Sequence, residues 1–149
     1  LKPRLLLTHQ HDDPHPDHNH IVDLVREASR HASLRKYDAE TGGERIPAPI
    51  VAHTIFSLNV RPTFIVDVSE FADAKMDAIA AHRSQFYNPE SNEPETALTG
   101  KTYLDQIRAR MTTFGSMIGV EAGEPFYVRE ALNVDDPLAL LTRPMNIYS

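Results

Sequence analysis

The sequence contains no cysteine. That absence excludes a disulfide framework and a thiolate zinc site, and it fits a cytoplasmic location. Any bound metal would have to take His, Asp or Glu. No run approaches the roughly 18 consecutive apolar residues that a membrane span needs, and Leu1-Lys2-Pro3-Arg4 lacks the apolar core of a signal peptide. Positive charge is scarce: 15 Lys and Arg against 21 Asp and Glu give a formal net charge of −6, and the basic residues are scattered. A surface for nucleic acid is therefore not expected. What is present is ordinary for a soluble globular chain, 149 residues at 41% hydrophobic and 24% charged, enough to bury one core.

Along the chain the elements alternate as in an α/β layer fold. Residues 4–8 read as a short, fully buried strand feeding a loop. Pro16 suits the first position of a helix, with Asp17 in its first turn, and Ile21, Leu24, Val25, Ala28 and Ala32 recur at helical spacing to about residue 33. Residues 38–49 carry turn chemistry throughout. Strand-forming runs follow at 50–58 and 63–68. Ser69 is placed to cap a helix bearing Phe71, Met76, Ile79 and Ala80 and ending near Phe86. After an acidic, proline-broken excursion at 87–97, a second long helix spans about 99–118, with Tyr103, Ile107, Met111, Phe114 and Ile118 on one face and Gly119 as its C-cap. Phe126-Tyr127-Val128 forms a last strand. Leu1 is not Met and the first strand starts within four residues of it, so something is expected to precede this chain.

One segment is not explained by core packing. His9-Gln10-His11-Asp12-Asp13-Pro14-His15-Pro16-Asp17-His18-Asn19-His20 holds five of the eight histidines and three carboxylates, directly after Leu5-Leu6-Leu7. Nitrogen and oxygen donors in that density suit a divalent metal, zinc first. His15 and His18, three apart at a helix start, can face one cavity, and Asp17 could fix the tautomer of a neighbouring ring. No complete ligand trio or HExxH pattern is present, so residue types leave a metal site and a solvated polar loop equally open.

Asp12-Asp13-Pro14-His15-Pro16-Asp17-His18 resembles the second signature of the LmbE-like (PIG-L) zinc deacetylases. Leu34-Arg35-Lys36-Tyr37, Pro62-Thr63-Phe64-Ile65-Val66-Asp67-Val68-Ser69, Ser84-Gln85-Phe86-Tyr87 and Gly119-Val120-Glu121-Ala122-Gly123-Glu124-Pro125-Phe126 are similar to its bacillithiol-biosynthesis branch, which deacetylates N-acetylglucosaminyl malate. The resemblance implies a Rossmann-like three-layer α/β sandwich with a mostly parallel sheet, its first strands missing, so that residues 1–149 are the C-terminal portion of a single deacetylase domain. It implies a zinc-dependent amide hydrolase that releases acetate from an N-acetylglucosaminide, in a cytoplasmic protein assembled as a trimer or hexamer. Residue by residue, His18 would be a zinc ligand and His15 would polarise the intermediate or protonate the leaving amine. Asp17 would orient His15, Asp13 would support the motif electrostatically, Tyr103 would help hold the oxyanion, and Arg45 would grip the substrate carboxylate. His9, His11, His20, His31, His53 and His82 are read as non-ligands, His11 being the first exception to consider. Nothing matches the family's first signature, which supplies two zinc ligands and the general base. The chain is therefore expected to need a segment upstream of Leu1, in cis or as a separate chain, for activity. The competing reading is a non-catalytic metal-binding or assembly fragment of the same fold.

Overall fold

Short β-rich runs alternating with amphipathic stretches give β1 (Leu5–Thr8), α1 (Pro16–Ala32), β2 (Ile50–Thr54), β3 (Phe64–Asp67), α2 (Ala72–Ala80), α3 (Tyr103–Ile118), β4 (Gly123–Val128) and α4 (Pro137–Leu141). The computed structural model describes residues 1–34, 45–90, 92, 94 and 96–142. The triplet 35–37, most of the loop at 38–49 and parts of the 87–97 excursion lie outside the described residues. The chain divides into two compact units, one of Leu1–Phe64 with Pro125–Asp135, the other of Ile65–Glu124 with the stretch from Asp136 on.

The described strands form one sheet in the order β1-β2-β4-β3. β1 pairs parallel with β2, Leu5 opposite Ile50 and Thr8 opposite His53. β4 pairs antiparallel with β2, setting His53 opposite Tyr127. Among the described strands the sheet is thus mixed: alternation of helices and strands reveals which elements exist, whereas direction depends on the path each connection takes. The expectation of a fully buried first strand is corrected. Leu5 and Leu7 are 52% and 57% exposed, because β1 is the outer strand of this order.

In the first unit β2 buries Val51, Ala52 and His53 in succession, so both of its faces are covered. Ala52 packs with Phe126 and Val128. α1 buries Val22 and Ser29, and the Ser29 hydroxyl donates to Pro49 O at 3.3 Å. Ile21 and Leu24 remain exposed, so the buried stripe lies one residue round from the expected one.

In the second unit Met76, Met111 and Ala122 form a core with Leu104 and Ile107 against it. Gly119 closes α3 at φ +74°, as its spacing predicts. Gly115 and Gly123 permit a close approach of α3 to the following strand, since a Cβ on Gly123 would lie 2.7 Å from Gly115 N. Ser69 does not cap a helix. Its hydroxyl donates to Asp67 Oδ1 at 2.7 Å and accepts from Ala122 N at 3.1 Å, and a 3₁₀ turn at Ser69–Phe71 precedes α2. The hydrogen bonds from Ser69 hold the Asp67 carboxyl below its usual range. α2 stops at Ala80, short of Phe86, where three-residue turns through His82 and Gln85 take over. α4 was not expected, although Asp136 accepts from Ala139 N at 2.9 Å and Pro137 sits at its first position.

Candidate functional site

The loop leaving β1 is fastened to the end of β2 by side chains. Thr54 Oγ1 donates to Thr8 O at 3.1 Å, and His53 Nδ1 donates to His9 O at 2.8 Å. Gln10, only 5% exposed, accepts from Phe56 N and Ser57 N at 2.9 and 3.1 Å. A polar loop so anchored is held at the carboxyl end of a strand, where open α/β sheets place their ligands. Sequence reasoning missed Gln10 and His53 as supports; no spacing rule marks them.

Beyond this anchor the motif folds on itself. Asp13 Oδ1 accepts from His15 N at 2.8 Å, and Asn19 clamps Asp13 from the other side: Asn19 Oδ1 accepts from Asp13 N at 3.0 Å while Asn19 Nδ2 donates to Asp13 O at 2.7 Å. His15 is the N-cap of α1, and its Nδ1 accepts from Asp17 N at 3.2 Å. The neutral ring therefore carries its proton on Nε2. The Asp17 carboxylate lies 3.9 Å from His15 Nδ1, and the group of Asp17 that engages this nitrogen is its backbone N–H.

His18 projects from the first turn of α1. Its Nδ1 is 3.0 Å from Asp13 Oδ1, at ion-pair distance but off a hydrogen-bonding line. The ring stacks on His9 at 4.2 Å with planes 2° apart and lies 4.9 Å from His15. His9 is pushed below its ordinary pKa by burial and next by His18, with Asp13 acting the other way. His53, fully buried, is likewise lowered by burial foremost, against the His9 carbonyl that favours its charged form. Asp13, His15 and His18 are therefore brought together, with His9 and Asn19 as partners that spacing alone did not single out.

The zinc that the resemblance implies can be tested against these donors. His9 Nδ1 and His18 Nδ1 are buried ring nitrogens without a hydrogen bond, which suits a contribution to a metal. Among the described residues, however, no group of three or more His, Asp or Glu is arranged to hold a metal ion. The motif fits one corner of a metal site.

One expected residue lies elsewhere. Arg45 donates from Nε to Ser33 O at 2.8 Å, at the far end of a 17-residue helix that is about 25 Å long. It is not brought to His15 and His18. Tyr103 belongs to the second unit, where it stacks on Phe86 at 5.9 Å with the Arg110 guanidinium 6.0 Å from its ring.

No model of a known protein family matches the sequence. The fold recurs in solved structures. The conserved protein TT1542 from Thermus thermophilus matches with a TM-score of 0.72 at 28% identity, over 89% of this chain and 54% of that one. N,N'-diacetylchitobiose deacetylase from Pyrococcus horikoshii, complexed with its inhibitor MPG, matches at 0.66 and 23% identity, over 85% of this chain and 46% of that one. GalB, the 4-carboxy-2-hydroxymuconate hydratase from Pseudomonas putida, matches at 0.66 and 18% identity, over 91% and 55%. The chain thus spans about half the length of the structures it matches. These likenesses define a mixed α/β fold that carries both a deacetylase and a hydratase, so the fold does not choose the reaction.

Proposed function

We propose that this chain is part of a zinc-dependent N-deacetylase of the LmbE-like (PIG-L) kind, acting on an N-acetylglucosaminide and releasing acetate, with N-acetylglucosaminyl malate as the specific substrate. The observation that carries this is the convergence of Asp13, His15 and His18 at the carboxyl end of β1, on a fold shared with a diacetylchitobiose deacetylase. His18 would hold the metal, with the Asp13 carboxylate 3.0 Å from its Nδ1. A bound zinc supplies Lewis acidity and lowers the pKa of water. The remaining donors and the general base would come from protein outside these residues, consistent with relatives nearly twice as long. As the oxygen of water adds to the acetyl carbon, His15 Nε2–H donates a hydrogen bond to the oxyanion that forms, and as the C–N bond breaks the proton that the general base took from water passes to the departing nitrogen. The cap hydrogen bond at Nδ1 keeps the His15 proton on the outward nitrogen.

The test is acetate release and zinc content of the intact protein with His18→Ala and His15→Ala. His18→Ala is expected to lose both metal and turnover, His15→Ala turnover alone, since its role is confined to the transition state. Retained activity in His18→Ala overturns the assignment. A second reading, a metal-binding or assembly fragment without catalysis, is favoured by the incomplete donor set among the described residues. It requires that no acetate be released even when the longer protein is supplied.

A further inference from the structure

Behind the motif lies a second pocket that the proposed chemistry does not use, with a volume of about 240 Å³. At its base is His53, 0% exposed, in the centre of the sheet between Thr8 of β1 and Tyr127 of β4. The His9 carbonyl can only accept, so the bond at 2.8 Å fixes the His53 proton on Nδ1. Nε2 is then a lone-pair acceptor, buried, with no hydrogen bond. A buried acceptor left unmatched is costly, so this nitrogen favours any ligand that offers it a donor.

The other walls share that preference. Asp12 brings a carboxylate and His11 a ring 4.7 Å from His53, while Ile55 and Val60 supply apolar surface and Tyr127 an aromatic one. Among the described residues no Lys or Arg lines the cavity. The nearby Arg26 faces Glu130 at 3.7 Å and lines a different cavity. Asp12 sits at φ +58°, an uncommon backbone for a non-glycine residue, and such departures gather at functional positions.

We propose that this pocket binds a small primary amine in its ammonium form, with the ammonium placed among His53 Nε2, the Asp12 carboxylate and His11, and the carbon body on Ile55 and Val60. An ammonium has three N–H donors and a positive charge, matching the His53 lone pair, the Asp12 carboxylate and the aromatic rings around them. A hydroxyl offers one donor and no charge, so it leaves most of these groups unmatched. The pocket would hold this ligand whether or not the neighbouring motif hydrolyses amides.

The experiment titrates the intact protein, labelled with ¹⁵N-histidine, with n-butylammonium and with butan-1-ol, which differ only in the head group. The expected result is a saturable shift of the His53 Nε2 resonance with the ammonium, and at least tenfold weaker binding of the alcohol. Asp12→Asn keeps an exposed residue that tolerates the left-handed backbone, and so preserves the fold. It should weaken the ammonium about tenfold and leave the alcohol unchanged. Equal affinity for the two probes, an Asp12→Asn protein that binds the ammonium undiminished, or no saturable shift at His53 each overturns the proposal.

Discussion

Asn19 is the residue on which the geometry of the motif turns. Both ends of its side-chain amide are assigned by their partners, because Asp13 N can only donate and Asp13 O only accept. Asn19→Ala removes the bonds at 3.0 and 2.7 Å and leaves an unmatched backbone donor and acceptor in a half-buried residue. A net loss of roughly 0.5–1.5 kcal/mol per bond gives about 2 kcal/mol. For a chain of this size that corresponds to a melting temperature lower by about 4–8 °C. Asn19→Asp keeps the acceptor and loses the donor, so its loss should fall between the parent and the alanine variant. Because Asp13 Oδ1 is placed by this clamp, the alanine variant should also bind zinc more weakly than the parent. Differential scanning calorimetry and zinc titration of the three proteins decide the matter. An alanine variant that melts within about 1 °C of the parent, with unaltered zinc binding, would show that the clamp is not what sets the loop.

Further outcomes are expected elsewhere. His53 has a folded pKa below its unfolded value of about 6.5, so the unfolded chain binds the additional proton and stability falls as pH drops below that value. Urea unfolding between pH 7.5 and 5.5 should therefore show a decline of up to about 1.4 kcal/mol per pH unit from this group, and the decline should flatten in His53→Gln. Gly123→Ala would set a Cβ 2.7 Å from both Gly115 N and Ile65 Cγ2, an overpacking worth about 1–3 kcal/mol or more. Gly119→Ala meets nothing within 4 Å and carries only the strain of φ +74°, about 1–2 kcal/mol, so it should melt above the Gly123 variant; the reverse order would refute the close approach.

The parts of this molecule that were legible in the sequence are those governed by local chemistry. Pro16 and Gly119 mark the start of α1 and the end of α3 because each has a backbone requirement that few other residues meet. Met111 and Phe114 fall in the core as their helical spacing predicts. Strand direction was not legible, since β4 takes its place beside β2 through a long connection whose course leaves no pattern in the residues. Ser69 misled for a related reason: its hydroxyl had two possible uses, and a carboxylate two residues away competes with the helix start. At the site, Asp13, His15 and His18 are neighbours in sequence and so meet in space, whereas Arg45 depends on a loop path that spacing cannot supply. His9 and His53 became recognisable only once β1 and β2 were paired.

His15 is at once the cap of a 17-residue helix and the proposed hydrogen-bond donor to the intermediate. Asn, Asp and Ser satisfy the cap as well as or better than most side chains, yet none of them can do the work of an imidazole. A drift from His to Asn at this position would therefore pass almost unnoticed by folding while silencing the chemistry. Among descendants of such a chain, intact architecture would be a poor guide to living catalysis.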